Sequence, residues 1–285
     1  MRRLTLLVVA VLAGTLGCRG QESQEASGGG PAVSGKIKAL GSSTVLPLAK
    51  SLADAFAKAH PGTEFEIEQS NSNWGLGALR PGMTDIALST KPPGEDDKAL
   101  VAHRLGRDGL CVIVHKSNPV EALSDDQLRG IFQGKIVNWK EVGGNDTPIV
   151  RLNHSEVRTS LVLFVAHLGL QVSDMKYTDI VIGSDSEGVQ LVSNKPEAMT
   201  YLSIASALGA VAGGSPLKLI GLRGVAPTVA NVENGTVPVV YDVSLITKDA
   251  PNPQTRAFVE FATSPATADM RKEKNFAPAV QEAAG

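Results

Sequence analysis

Segments with strand and helix patterns alternate along most of this chain, and that alternation limits the fold more than any other feature of the sequence. Residues 36–40 form a short strand pattern, and apolar side chains then recur at helical spacing over 45–60. Residues 64–68 alternate charged and apolar side chains with period two, as in a half-buried strand. This repeated order predicts an α/β protein whose sheets are mostly parallel.

The same patterns extend the prediction to the rest of the chain. We expect further strands over 84–89, 109–115, 148–153, 199–204, 217–222 and 238–247, and further helices over 157–168 and 254–263. Ser124 and Gln127 match a capping box, which predicts that a helix begins there.

The first 35 residues have the composition of a targeting segment. Two arginines precede an apolar run over 4–16, which has the length of a signal-peptide core and is too short for a membrane span of about 20 residues. A small residue precedes Cys18, so we predict a signal peptide over 1–17, lipidation of Cys18 and a flexible tether over 18–35. The protein would then be lipid-anchored in the periplasm or at the cell surface. A plain signal peptide and an uncleaved anchor are the alternatives.

Composition and charge exclude several classes of function. The chain carries 27 Lys and Arg against 29 Asp and Glu, a net charge of −2, so no basic field exists to attract a polyanion such as nucleic acid. Aromatic residues make up only 4%, which argues against a surface that stacks bases. Two cysteines cannot build a disulfide framework or a zinc site with the usual ligand set, and we expect neither metal nor cofactor.

Three loops that follow predicted strands carry small hydroxyl side chains. The first contains Ser43 and Thr44, the second contains Ser72, and the third contains Thr90. Strand ends and helix N-termini meet at one edge of an α/β sheet, where backbone N–H groups and hydroxyls can bind an anion. Each loop taken alone also has an ordinary interpretation, as a helix cap or a solvated turn.

A fourth loop, residues 151–160, adds positive charge. Arg151 and Arg158 can form charge-assisted hydrogen bonds to an oxyanion, and Ser155 lies between them. The alternative for each arginine is a surface salt bridge. Four such loops together favour an anion-binding site at the carboxyl edge of the sheet.

Patterns typical of catalysis are absent or weak. The sequence has no nucleophile elbow, no His-Glu-x-x-His, no Walker A loop and no dinucleotide-binding glycine motif. Ser215 and Lys218 match Ser-x-x-Lys by spacing, but the companion motifs of that chemistry are missing. We therefore predict a binding protein and not an enzyme, with a secreted serine hydrolase as a distant alternative.

Three segments resemble the phosphate-binding proteins of phosphate-specific ABC importers. Residues 41–47, Gly-Ser-Ser-Thr-Val-Leu-Pro, are similar to the first ligand loop of that family. Residues 131–144 contain Phe-x-Gly-x-Ile-x-Asn-Trp, the most specific of the three motifs. Residues 194–201 resemble the family's Asn-Pro-x-Ala-Ile-Gly-Tyr segment. The resemblance extends over about residues 36–278.

The resemblance implies a type II periplasmic-binding-protein fold. Two α/β lobes with central mixed sheets would be joined by two crossover strands near residues 111–116 and 236–244. Lobe one would contain residues 36–112 and 242–285, and lobe two residues 113–241. The lobes would close over one phosphate ion and present it to an ABC permease.

The resemblance also implies which residues bind phosphate. The first two ligand loops of the family contribute hydroxyls, and its loop in lobe two contributes an arginine and a serine, often followed by a second arginine. Position by position, the matching residues here are Ser43, Thr44, Ser72, Arg151, Ser155 and Arg158.

Two departures from the family pattern affect how the site would select its anion. Some members carry an aspartate at the position of Thr90, where it accepts the proton of hydrogen phosphate and so excludes sulfate. A glycine and a threonine of the lobe-two loop are Glu156 and Val157 here. We hypothesise that Glu156 supplies the missing acceptor. The alternative is that Glu156 faces solvent and pairs with a base such as Arg158.

The predicted function is that of a lipid-anchored, monomeric protein that captures phosphate outside the cytoplasm for an ABC permease in the membrane. One alternative is the same fold binding sulfate, molybdate or another oxyanion. The other is a sensory or scaffolding lipoprotein that has no transport partner.

Overall fold

Strands and helices alternate in the computed structural model, which describes residues 34–176 and 179–279. The strands are β1 (Gly35–Ser42), β2 (Thr63–Ser70), β3 (Ile86–Ser89), β4 (Leu100–His115), β5 (Val150–His154), β6 (Ile180–Ile182), β7 (Ala198–Ser203), β8 (Leu217–Ile220) and β9 (Val240–Lys248). The helices are α1 (Leu46–Ala59), α2 (Ser72–Leu79), α3 (Asp125–Phe132), α4 (Thr159–His167), α5 (Asp185–Asn194), α6 (Ile204–Ala212), α7 (Val229–Glu233), α8 (Pro253–Thr263) and α9 (Ala268–Glu273).

Every predicted strand and helix named above has a counterpart in these elements. The strand predicted over 109–115 is the second half of the 16-residue β4. The capping box of Ser124 and Gln127 at the start of α3 is confirmed. The predicted signal peptide, Cys18 and nearly all of the predicted tether lie outside the described residues. None of the helices in the described part of the chain is long and apolar enough to cross a membrane.

Two sheets share β4. The first has the order β2-β1-β3-β9-β4, and the second continues through β7, β5 and β6, with β8 also pairing with β4. Within β4, residues 100–109 pair with β9, whereas residues 110–115 pair with β7 and β8. A long strand that belongs to both sheets confirms the two-lobed architecture. The division of the chain into lobes at particular residues stays a prediction.

Both sheets are mixed. Strand pairs β1–β2, β1–β3, β5–β6 and β5–β7 are parallel, whereas β3–β9, β4–β9, β4–β7 and β4–β8 are antiparallel. The expectation of mostly parallel sheets is therefore wrong, and the mixed sheets implied by the resemblance are confirmed. The reason is that β4 and β9 run opposite to their partners but carry continuous buried runs, a pattern that is typical of parallel strands.

Each lobe has its own aromatic core. Beside the first sheet, the rings of Phe56 and Phe258 meet edge to face at 5.5 Å. Beside the second sheet, the rings of Phe164 and Tyr201 stack at 3.9 Å, and Phe132 meets both edge to face. Each sheet therefore has a close-packed core of its own that holds its shape.

The most specific sequence motif, residues 131–144, serves packing and turn geometry. Phe132 and Trp139 are buried in the core of the second lobe, and the indole N–H of Trp139 donates to the Glu197 carbonyl at 2.8 Å. Gly134 has a φ of +72°, which ends α3 in a conformation that favours glycine. Asn138 caps the following 3-10 turn. The motif therefore identifies the fold without supplying side chains to the pocket described below.

A pair of glycines brings α2 close to the first sheet. A Cβ on Gly75 would lie 2.6 Å from the Leu40 carbonyl oxygen and 3.3 Å from the Cα of Gly41. Gly41 itself has a φ of +150°, and a Cβ there would lie 2.2 Å from the Leu88 carbonyl oxygen. This close packing places the first turn of α2, with Ser72, at the carboxyl edge of the sheet.

Candidate functional site

A small polar pocket lies where the carboxyl ends of β1, β2, β3, β5, β6 and β7 meet the starts of five helices. Its lining consists mainly of hydroxyl, amide and charged side chains: Ser42, Thr44, Asn71, Ser72, Thr90, Arg158, Thr159, Ser160, Leu163, Asp185, Ser203 and Tyr241. Its volume is about 20 Å³, above the roughly 10–15 Å³ that one water molecule needs. A pocket of this size has room for one small ion.

Two of the helices that start at this pocket have free N-termini. Among the described residues, no side chain caps α1 at Val45 or α4 at Arg158. By contrast, side chains of Asn71, Ser184 and Ser203 cap α2, α5 and α6. The first N–H groups of α4, those of α1 other than at Pro47, which has none, and the positive dipole ends of both helices are thus available to an anion.

Arg158 supplies the positive charge of the pocket. Its side chain is only 7% exposed, and its guanidinium donates to the Gly183 carbonyl at 2.9 Å and to Ser43 Oγ at 2.7 Å. The same group lies 3.4 Å from Asp185 Oδ1. These fixed partners hold the guanidinium in place, so that it needs little reorganisation to meet a ligand.

Asp185 is the one pocket-lining carboxylate in the described part of the chain. Its Oδ2 accepts from Ser206 Oγ at 2.9 Å and from Thr44 Oγ1 at 3.4 Å, and the residue is 4% exposed. An ionised carboxylate can only accept hydrogen bonds. Asp185 therefore gives an otherwise donor-rich pocket an acceptor.

Hydroxyl groups line the remaining walls. The backbone N–H of Thr90 donates to Ser72 Oγ at 3.1 Å, and the two hydroxyls lie 3.2 Å apart. Since one hydroxyl proton satisfies that pair, the other is free to point into the pocket. Ser160 Oγ is buried and has no hydrogen-bond partner among the described residues, which leaves it for a ligand or water.

A second carboxylate lies directly behind the pocket wall. Asp108 on β4 is 1% exposed and accepts from the backbone N–H groups of Gly109 at 2.7 Å and Ala205 at 3.1 Å. It also accepts from the hydroxyls of Ser203 and Tyr241, both of which line the pocket. Burial raises the pKa of Asp108 to about 6, and the hydrogen bonds oppose that shift.

Contacts between the lobes surround the pocket. Besides the bonds of Ser43 with Arg158 and of Thr44 with Asp185, the Asn73 side-chain amide donates to the Val157 carbonyl at 3.0 Å. The residues come from the first sheet's helix starts on one side and from the α4 and α5 starts on the other. These hydrogen bonds join the two sides of the cleft directly beside the pocket.

The structure brings together four of the residues singled out in the sequence and places a fifth at their edge. Thr44, Ser72, Thr90 and Arg158 line the pocket. Ser43 lies outside the lining but holds Arg158 through its hydroxyl.

Arg151 lies at the opposite edge of the second sheet. It is the second residue of β5, and its side chain pairs with Asp179 at 2.5 Å and donates to the Ile131 carbonyl at 3.2 Å. In a strand that rises about 3.3 Å per residue, Arg151 is about 10 Å from the end of β5 at His154. The sequence placed Arg151 in the ligand loop because the spacing to Ser155 does not show where the strand ends.

Ser155 and Glu156 also lie outside the pocket lining. The Ser155 N–H donates to Ile182 O at 3.3 Å, and the Ser155 carbonyl accepts from the Arg158 N–H at 3.0 Å. This tight turn leaves Glu156 exposed, whereas Arg158 turns inward. The hypothesis that Glu156 is the acceptor in the pocket therefore has no support from its position.

Sequence reasoning missed Asp185, Ser203, Tyr241 and Ser160. Ser184, Asp185 and Glu187 form a helix-start pattern after a short strand, which could have drawn attention to α5. Nothing in the local sequence marks Tyr241, because it reaches the pocket from the middle of a strand pattern. Within the described residues, no group of His, Cys, Asp and Glu is arranged to hold a metal ion.

Comparison with known proteins gives the class of protein that this fold and pocket define. The family model of a PBP superfamily domain matches residues 26–266, so the chain belongs to the PBP superfamily. The resemblance seen in three sequence motifs is thereby confirmed.

Individual relatives are more specific. The phosphate-binding protein PstS of Bacillus subtilis is 26% identical over 265 residues, covering 90% of this chain and 85% of that protein. An ABC-type phosphate transport receptor from Vibrio cholerae is 29% identical with a TM-score of 0.68, covering 85% of this chain and 99% of that one. A candidate phosphate ABC transporter substrate-binding protein from Clostridium perfringens, solved with bound phosphate, shares the fold with a TM-score of 0.79. It is 24% identical and covers 86% of this chain and 100% of its own.

Proposed function

We propose that this protein binds inorganic phosphate between its two lobes and delivers it to an ABC permease outside the cytoplasm. The observation that carries the proposal is a pocket for one small ion that combines many donors with a single facing carboxylate. The relatives named above are phosphate-binding proteins and phosphate transport receptors, which supports the same function.

The donors account for affinity. A tetrahedral oxyanion would receive N–H groups from the starts of α1 and α4, the guanidinium of Arg158, and hydroxyls of Ser72, Thr90 and Ser160. Each bond to a charged oxygen is worth roughly 1.5–3 kcal/mol once desolvation is counted. Many fixed dipoles with one formal positive charge can therefore hold the ion without a metal.

Asp185 accounts for selectivity. A protonated phosphate oxygen can donate to this carboxylate, whereas every oxygen of sulfate at neutral pH would face it without a proton. We propose that Asp185, and not Glu156, supplies the acceptor that is absent at Thr90. The oxyanion alternatives, sulfate and molybdate, are disfavoured for the same reason.

Lobe closure would report the bound ion to the permease. Ser43, Thr44 and Asn73 already bond across the cleft, and a ligand that contacts both sides adds further bonds that exist only in the closed state. Binding then shifts the population toward the closed form, which the permease would recognise.

The remaining parts of the proposal rest on sequence patterns. Lipidation of Cys18 would anchor the protein at the outer side of a membrane, and the tether would let the lobes reach the permease. We propose that the protein acts as a monomer and performs no catalysis.

Calorimetric titration of the ligand-stripped protein tests the proposal. The purified chain is unfolded, dialysed and refolded, and then titrated with phosphate and with sulfate at neutral pH. We expect micromolar or tighter phosphate binding and no heat with sulfate. Equal binding of both anions would contradict the role of Asp185, and silence with both would refute the transport function and favour the sensory or scaffolding alternative.

A further inference from the structure

We propose that Asp108 turns the Tyr241 hydroxyl into a second hydrogen-bond acceptor of the pocket, so that the site prefers dihydrogen phosphate to hydrogen phosphate. The inference rests on the proposed phosphate function and deepens it, because it names the protonation state that the pocket selects. Asp108 would be a positioning residue, since it contacts the pocket only through Tyr241 and Ser203.

The register of two strands brings Asp108 and Tyr241 together. They are directly opposed in the antiparallel pair of β4 and β9, two residues before Leu110, where β4 changes partners at the junction of the sheets. Tyr241 Oη lies 3.2 Å from Asp108 Oδ2, and Tyr241 lines the pocket. Backbone N–H groups of Gly109 and Ala205 hold the other carboxylate oxygen.

The number of protons shared by Asp108 and Tyr241 decides whether Tyr241 offers the pocket a donor or an acceptor. An ionised carboxylate offers no proton, so the Tyr241 hydroxyl donates to Asp108 and turns its remaining lone pairs toward the pocket. Ser203 also donates to Asp108, and one of the two lone pairs of its oxygen accepts the Ser206 N–H at 3.0 Å. Among the described residues no backbone N–H donates to Tyr241 Oη, so of these two oxygens it has the greater capacity left to accept from a ligand.

The protonation states of Asp108, Tyr241 and the groups around them maintain this hydrogen bond at neutral pH. The other titratable or charged groups close to the pair are Asp185, Arg158, His154 and Cys111. Burial lowers the pKa of His154 and raises that of the Cys111 thiol, so both are uncharged. Asp108 has a pKa of about 6 and is mainly ionised above that pH, while burial keeps Tyr241 protonated by raising its pKa further.

Two acceptors, Asp185 and Tyr241, then line the pocket. Dihydrogen phosphate can donate one proton to Asp185 and the other to Tyr241, while its two unprotonated oxygens meet the donors of α1, α4 and Arg158. Hydrogen phosphate has a single proton, so one acceptor would face a bare anionic oxygen. An unsatisfied pairing of this kind in a buried site lowers affinity by about tenfold or more.

Titration at two pH values tests the inference. We would measure phosphate binding by calorimetry at about pH 6.5 and about pH 8.5, both above the pKa of Asp108 near 6. Wild-type affinity for total phosphate should fall by about tenfold per pH unit once phosphate loses its second proton. In Tyr241→Phe the affinity at the lower pH should fall about tenfold, with less than about threefold change at the higher pH.

A matched control separates this effect from general damage. Tyr201→Phe removes a phenol hydroxyl from a ring that is buried in the second lobe and does not line the pocket. It should leave the ratio of the two affinities at the wild-type value. An unchanged ratio in Tyr241→Phe, or equal losses at both pH values, would overturn the inference.

A second variant tests the role of Asp108 itself. In Asp108→Asn the amide oxygen can still accept the two backbone N–H groups, but the amide NH₂ would donate to Tyr241 and turn its proton toward the pocket. The preference should then shift by about tenfold toward hydrogen phosphate. If Asp108→Asn binds with the wild-type ratio, the positioning role is wrong, and if it does not fold, Tyr241→Phe still decides. Failure of the wild type to bind phosphate at either pH would instead refute the proposed function.

Discussion

Replacing Asp185 by Asn removes one negative charge from the pocket and changes little of its shape. The carboxylate is buried and bonded to Ser206 and Thr44, and an amide oxygen can keep accepting from those hydroxyls. The amide NH₂ would then take the position of Oδ1, beside the Arg158 guanidinium, and this wall of the pocket would offer a donor in place of an acceptor. The variant therefore reverses the hydrogen-bonding character of this wall at nearly constant volume.

The size of the effect follows from the distances. Two unit charges about 4 Å apart interact by about 4 kcal/mol at an effective dielectric constant near 20. Arg158 lies 3.4 Å from Asp185 and offsets part of this repulsion. If about half remains, removing the charge should improve sulfate binding by ~2 kcal/mol, or ~30-fold. Phosphate loses one charge-assisted bond while repulsion is relieved, so its affinity should fall by about tenfold or less.

Calorimetric competition between phosphate and sulfate measures both changes. We expect the preference for phosphate to fall by roughly 30-fold to 300-fold in Asp185→Asn, the product of the two estimates above. Glu156→Gln, an exposed carboxylate on the neighbouring turn, should leave the preference unchanged. If Glu156→Gln loses the preference and Asp185→Asn keeps it, the assignment of the acceptor is reversed.

Three further predictions concern stability. Arg158→Ala leaves Asp185 as an unpaired buried charge and should lower the free energy of unfolding by about 3–5 kcal/mol in urea titrations, less when Asp185→Ala is added. Gly41→Ala places a Cβ 2.2 Å from a carbonyl oxygen at a φ of +150° and should lower the free energy of unfolding by about 2 kcal/mol or more. Gly77 has open space around it, so Gly77→Ala should raise the free energy of unfolding by about 0.5–1 kcal/mol, measured by thermal unfolding. The pKa of Asp108 is about 6 in the folded state against a usual 3.8, so protonation of Asp108 favours folding. This contribution to the free energy of unfolding is complete below about pH 3.8. It is lost as the pH rises through 6, by up to about 3 kcal/mol. The difference in unfolding free energy between wild type and Asp108→Asn should decline by that amount from about pH 4 to about pH 7, and a flat difference would contradict the raised pKa.

Local sequence patterns predicted much of the fold and part of the pocket. The helical stripe of α1, the alternation of β2 and the capping box of α3 depend on neighbours within a few residues, and each was predictable. Hydroxyl-rich loops after β1, β2 and β3 were predictable as one cluster for the same reason, since parallel strands end at a common edge. Strand direction was not predictable, because the continuous buried runs of β4 and β9 are typical of parallel strands, whereas both strands are antiparallel to their partners.

Glu156 and Asp185 show what the sequence can predict and what requires the tertiary structure. By itself, the sequence predicted an anion site at the strand ends, and its family resemblance implied that Thr90 stands where some members carry an acceptor. Only the tertiary structure decided that Glu156 turns to solvent, that Asp185 enters the pocket, and that Asp108 meets Tyr241 across β4 and β9. The physical reason is that a side chain's partners across a cleft or a strand pair are set by turn direction and register, and neither depends on residues adjacent in the chain.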